Sequence, residues 1–239
     1  MKDFWYNFKE QFRRNPVLFI LIGLIFFRSV MGAGSIFAWL YRKVLILPGI
    51  LIGLTCHEAS HAYVSYKLGD FTPKAQGRLT LNPKAHIDLW GFFFLIFSGF
   101  GWGRPVEVNS RYYKNRKFGE ILVAISGVFA NLLIAIIFAF LYKYLNLILT
   151  ANIINSISVV LDMIYYTIQI NIVLFIFNLL PCPPLDGWNL ISSIFDLKKY
   201  DWWWQVNSRQ FLILMIFIIL NIPDIAISYF GNIIFGLIM

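Results

Sequence analysis

The sequence predicts an all-α polytopic membrane protein with five or six transmembrane helices, and three observations carry that prediction. Of 239 residues, 59% are hydrophobic and only 13% are charged, about half the charged share of a soluble domain. The apolar residues fall in runs of about 20 or more, the length that crosses a bilayer. The charged residues gather between those runs rather than along one face. This balance excludes soluble enzymes, disordered tails and collagen-like chains, and two cysteines cannot build a disulfide framework. The net charge of +8 fits cytoplasmic loops of a membrane protein. No nucleic-acid partner is expected, because no aromatic residues alternate with basic ones in an RNA-reading pattern. The partner is the lipid bilayer.

The first apolar run spans Pro16 to Tyr41, with Arg28 in its middle as a snorkelling or paired cation. The second runs from Val44 to Tyr66, the third from Ile121 to Tyr142 and the fourth from Ile153 to Leu180. A last stretch, Phe211 to Met239, is interrupted between Asn221 and Asp224, giving one span plus a half-helix or two short spans. Leu89 to Phe100 is too short to cross and reads as re-entrant or interfacial. Lys2, Lys9, Arg13 and Arg14 precede the first run, and no small-residue cleavage site follows it. It therefore reads as a retained span with the N-terminus in the cytoplasm. Two spans later, Lys74, Arg78, Lys84, Arg104, Arg111, Lys114, Arg116 and Lys117 face only Asp70, Asp88 and Glu107, so this loop is also expected in the cytoplasm. The "DWWW" at 201–204, beside Lys198 and Lys199, reads as an interfacial anchor on the same side.

Within the 70–118 loop, Gly77 to Pro83 and Gly103 to Asn109 alternate apolar and polar residues, the period of a strand. They are expected to pair as a small membrane-associated β element. No repeat or low-complexity tract divides the chain, which is read as a single domain over 1–239 with its core at about 44–191.

The second span contains "HEASH", from His57 to His61. Positions four apart share a helix face, so both imidazoles can grip one metal ion. Glu58 projects beside them, where it can take a proton from water. With 3 His and 4 Glu in 239 residues, chance supplies roughly 6 × 10⁻⁴ matches to H-E-x-x-H. An ionised side chain at the centre of a membrane helix costs about 2.5–3.5 kcal/mol on insertion scales, so the cluster calls for a role. A hydrolytic zinc site takes three protein ligands and keeps one position for water. Asp162, Asp186 and His86 are the candidates for the third ligand. Asp186 follows Pro181, Pro183 and Pro184, which end regular helix, and precedes Gly187, which permits a sharp turn. Unwound backbone at membrane depth is tolerated where it is buried in protein or lines a watery cavity. Asp162 sits near the opposite end of the fourth span, as an interfacial residue would.

"HEASHAYVSYKLGD", "GRLTLNPKAHID" and "NLLPCPPLDG" together resemble the site-2 protease family of intramembrane zinc metalloproteases, in its small bacterial form without PDZ or CBS domains. The resemblance covers about Leu51 to Ile191. It implies zinc, one per chain, held by His57, His61 and Asp186, with Glu58 as catalytic base and Asn178 placed to steady the oxyanion. Asn178 has a plainer alternative in satisfying backbone groups freed near the prolines. The resemblance also implies a multi-pass protein of a bacterial cell membrane and a transmembrane protein or peptide as substrate, such as an anti-sigma factor or a remnant signal peptide. The ten residues from His57 to Lys67, at 1.5 Å each, set the metal about 15 Å, or half a bilayer, deep. A substrate helix must unwind there, and the loop strands are expected to bind it as an added strand.

In "AISGVFAN", from Ala124 to Asn131, Val128 stands where the family usually has proline, which leaves a kink in the third span in doubt. Asn131 reads as an interhelical hydrogen-bonding residue, His86 as a satisfied structural histidine, and Cys56 and Cys182 as packing residues. Cys56 adjoins His57 and Cys182 lies four residues before Asp186, so thiol oxidation or alternative ligation is the competing role. Two other functions use the same ligands. A metal carrier would not need Glu58 between the histidines and usually shows repeated halves. A metal-stabilised pseudoenzyme would not need an intact Glu58.

Overall fold

The computed structural model describes residues 23, 27, 30–98, 101 and 103–239. The expected first span, with Arg28, lies largely outside them. Three long helices form the body: α1 (Ile36–Lys67), which carries His57, and two that follow the loop. Ser35 caps α1 by accepting from the Ala38 N–H. The loop then makes three short helices, α2 (Thr72–Ala75), α3 (Pro83–His86) and α4 (Leu89–Ser98). The ten residues of α4 are too few to cross, as expected.

Next come α5 (Arg116–Ile148), α6 (Ala151–Ser156) and α7 (Ser158–Leu179), then α8 (Asp186–Ile194) and α9 (Asp201–Ser208). The chain ends in α10 (Gln210–Ile219) and α11 (Ile222–Ile238), bent by 66° about Leu220 and Asn221. Asn221 takes a left-handed φ of 55°, which breaks the helix just before the proline. Among the described residues three helices are long and apolar enough to span, or four if the bent pair is one span. The expected count of five or six is not reached there.

The helix α5 continues for 33 residues through Val128, so no interruption stands where the family has its proline. Against it α7 packs Ile164, Ile168, Ile172 and Ile176 onto Ala135 and Ala139, with Ala226 and Ile227 of α11 outside. Ile50 and Leu54 of α1 meet Leu174 of α7, with Phe92 and Leu95 of α4 beside them. In a bilayer such contacts rest on close packing rather than on water exclusion. Gly49 and Gly53 supply it: a Cβ at Gly49 would come 2.8 Å from Thr167 Cα, and one at Gly53 would come 2.7 Å from Asn171 Oδ1.

The expected β element does not form a sheet; among the described residues the loop has one isolated antiparallel bridge, Ile87 to Gly103. Asn82 and Pro83 are the reason at 77–83. Asn82 caps α3 with its side chain and Pro83 takes the first helical turn, a local signal stronger than alternation. Residues 104–109 form no strand; the N–H groups of Arg104, Val106 and Asn109 go to the His86 carbonyl and to the Glu58 and Asp70 carboxylates.

Candidate metal centre

His57 and His61 lie one turn apart on α1, both buried. Asp186 reaches them as the first residue of α8, after Pro181 to Pro184 have ended α7 at Leu179. Gly187 allows this in a way different from the expected sharp turn. It is helical, and a Cβ on it would strike the Leu179 and Leu180 carbonyls, so its bare backbone lets α8 pack under the end of α7. The three ligand atoms form a nearly equilateral triangle. His57 Nε2 and His61 Nε2 are 3.1 Å apart, and Asp186 Oδ2 lies 3.1 Å from the first and 3.2 Å from the second.

Hydrogen bonds fix which atoms face inward. His61 Nδ1 lies 2.7 Å from the Val123 carbonyl, which only accepts, so Nδ1 carries the proton. His57 Nδ1 lies 2.8 Å from Asn131 Oδ1, and the Asn131 amide is oriented by donating to the Gly53 carbonyl at 3.2 Å. Both Nε2 atoms therefore present lone pairs to each other and to a carboxylate, and Asp186 Oδ2 has no hydrogen-bond donor. Three acceptors facing inward with no donor among them need a cation. Tetrahedral zinc, with bonds of about 2.0–2.1 Å, sets its ligand atoms about 3.3 Å apart. The donor set and spacing fit.

Gly127 of α5 lies directly against the imidazoles: a Cβ there would come 2.6 Å from His61 Cε1 and 2.8 Å from His57 Cε1. Glu58 opens on the same cavity, of about 510 Å³, as the two histidines and Asp186. Its Oε2 accepts the Val106 N–H at 3.0 Å. A few residues on, the Asn109 N–H donates to Asp70 Oδ2 at 2.7 Å, while the Arg104 N–H donates to the His86 carbonyl at 2.7 Å. The 103–109 segment is thus strapped across the base of α1, with Val108 lining the cavity. Asp70 is fully buried. Burial alone would raise its carboxyl, but hydrogen bonds from Thr72, Asn109 and Ser65 hold it below its usual value.

The other sequence candidates separate from the cluster. Asn178 lines the cavity, with its amide donating to the Leu174 carbonyl of its own helix at 3.0 Å. His86 is buried and bonds the Thr80 carbonyl at 2.7 Å through Nε2. Asp162 is exposed near the start of α7. Cys182 packs with Leu185 and Leu214, Cys56 is half-buried, and neither joins the metal-ligating group.

Two features have little or no mark in the linear pattern. Glu120 of α5 accepts from Ser193 of α8 at 3.2 Å and pairs with Lys198 at 2.5 Å, tying the Asp186 helix to α5. Asn171, fully buried, donates to the Gly49 carbonyl. The Gly49-x-x-x-Gly53 spacing in an apolar run is the one signal that points to that close contact. In α9, Trp203 is buried with its Nε1 donating to Ser192 Oγ at 2.8 Å, while Trp202 and Trp204 stay exposed.

Comparison with known proteins adds the family. The family model described as "Peptidase family M50" matches residues 45–220. The chain is 39% identical over 183 residues to "Putative zinc metalloprotease YwhC" of Bacillus subtilis, covering 74% of this chain and 83% of that one. It is 24% identical over 244 residues to "Putative zinc metalloprotease Rip2" of Mycobacterium tuberculosis, covering 93% and 86%. A Rip2 of Mycolicibacterium smegmatis is 25% identical over 201 residues, covering 77% and 72%. No solved structure matches. With apolar spanning helices and an H-E-x-x-H helix inside the matched region, the chain belongs to peptidase family M50, the site-2 protease family, and is a multi-pass membrane zinc metallopeptidase.

Proposed function

We propose that this protein is an intramembrane zinc endopeptidase that hydrolyses peptide bonds within or near transmembrane segments of other membrane proteins, in regulated proteolysis. One zinc ion per chain is held by His57, His61 and Asp186. Bound there, zinc supplies Lewis acidity to a peptide carbonyl and to water. The observation that carries the reading is the inward triangle of three acceptor atoms, each histidine held by its other nitrogen, with Glu58 opening on the same cavity.

Glu58 is the general base: it takes a proton from the attacking water and returns it to the leaving amine. One of its oxygens is occupied by the Val106 N–H, which fixes the carboxylate and leaves the other for the proton. Asn178 is the oxyanion donor. It lines the cavity, and an amide has a second N–H besides the one that bonds the Leu174 carbonyl. The segment around Val108 binds the unwound substrate by backbone hydrogen bonds. The N-terminus and the 70–118 loop are cytoplasmic, and 1–239 acts as one domain in a bacterial cell membrane.

The test is cleavage of a model transmembrane peptide by the purified protein and by Glu58→Gln, with products located by mass spectrometry. The reading expects a cut inside or beside the apolar segment, lost in Glu58→Gln while zinc is retained. Equal cleavage by both proteins would remove Glu58 from the chemistry.

A further inference from the structure

Asn171 has no place in the chemistry above, yet it ends a hydrogen-bond chain that leads to a metal ligand. Its Nδ2 donates to two backbone carbonyls, of Thr167 at 2.9 Å and of Gly49 at 3.3 Å. Carbonyls only accept, so this end of the amide is the nitrogen and Oδ1 points away from them. There Oδ1 accepts from Asn131 Nδ2 at 3.1 Å. Asn131 Nδ2 also donates to the Gly53 carbonyl at 3.2 Å, so Asn131 Oδ1 is left facing His57 Nδ1 at 2.8 Å. An acceptor at that place requires the neutral imidazole to carry its proton on Nδ1, which frees the lone pair of Nε2.

We propose that Asn171 is a positioning residue for the metal centre: acting through Asn131, it fixes His57 in the Nδ1–H tautomer, so that Nε2 faces Asp186 as a ready ligand. This rests on the reading of the triangle as a metal site. Each link has a fixed polarity. Reversing the Asn131 amide would present an N–H to His57, drive the proton to Nε2 and block the ligand. It would also set Asn131 Oδ1 against the Gly53 carbonyl and Asn171 Oδ1. Both amides are fully buried, where an unmade hydrogen bond is costly. The two glycines that expose their carbonyls to the chain are those where a Cβ would strike α7, at Thr167 and at Asn171 itself. Outer partners of metal-bound histidines commonly govern affinity about 10–100-fold, and here control passes through two amides across three helices.

The experiment reads the three histidines by ¹⁵N NMR in zinc-free protein, with the pH raised until the imidazole shifts stop moving, and measures zinc affinity by chelator competition. In the wild type, His57 and His61 are expected to carry the proton on Nδ1, and His86, which bonds the Thr80 carbonyl through Nε2, on Nε2. In Asn171→Leu, His57 alone is expected to become a mixture of tautomers, and zinc affinity to fall about 10–100-fold. An Nε2–H His57 in the wild type overturns the proposal without any variant, so failure of Asn171→Leu to fold does not shelter it. A folded Asn171→Leu with the wild-type tautomer and zinc affinity also overturns it. A wild type with the expected tautomers that binds no zinc contradicts the metal-site reading and the positioning role with it.

Discussion

At the scale of single residues, the centre depends on atoms that are missing as much as on those present. Gly127→Ala would press a methyl group between both imidazoles, within 2.8 Å of His57 Cε1. The side chains there cannot retreat, because their Nδ1 atoms are tied to Asn131 and to the Val123 carbonyl. Gly127→Ala is expected to lose bound zinc while circular dichroism still reports a helical protein. Asp70 is a second such point, outside the membrane helices. Its depressed carboxyl contributes stability in full above its ordinary value near 3.8, and this contribution is lost as pH falls below that value towards the folded one. Asp70→Asn leaves either the Thr72 N–H, which uses Oδ1, or the Asn109 N–H, which uses Oδ2, without an acceptor, at a cost of about 1–3 kcal/mol. Thermal unfolding at neutral and acid pH is the check, and the gap between wild type and Asp70→Asn should narrow as pH drops below about 4.

At the scale of elements, the strap at 103–109 is where sequence and structure diverge most usefully. Alternation predicted a strand here and none forms, because alternation does not name a pairing partner. The N–H groups of Val106 and Asn109 went to the carboxylates of Glu58 and Asp70. The cavity-lining Val108 is where a substrate backbone would dock. Val108→Pro removes one N–H from that edge without touching Glu58. It should raise KM about 2–10-fold, the worth of one hydrogen bond, with kcat little changed; unaltered kinetics would count against strand addition.

The same contrast holds for the site. His57, Glu58 and His61 are legible because one helix turn brings them together, and Asp186 because prolines and Gly187 mark its break. Asn131 could be read as an interhelical donor, but not as the partner of His57, since 74 residues separate them. Asn171 left no local signal beyond the Gly49 and Gly53 spacing opposite it, and Glu120 left none. Their roles arise only when α1, α5 and α7 pack.

At the scale of the whole molecule, the proposed topology rests on the charge pattern of one loop. If the 70–118 loop is cytoplasmic, so are the mouth of the cavity, Lys198 and the exposed Trp202 and Trp204. A cysteine placed at Lys114, in a Cys56→Ser and Cys182→Ser background, should be labelled by an impermeant thiol reagent only in inside-out vesicles. Labelling in right-side-out vesicles would invert the topology. The same background is expected to keep cleavage activity and oxidant response, since neither thiol joins the ligand group. Zinc X-ray absorption on the purified wild-type protein reads the ligands of the metal centre themselves. One zinc per chain is expected, with two imidazoles and an oxygen-rich remainder at about 2.0–2.2 Å. A sulfur scatterer near about 2.3 Å, or a protein that retains no zinc, would contradict it.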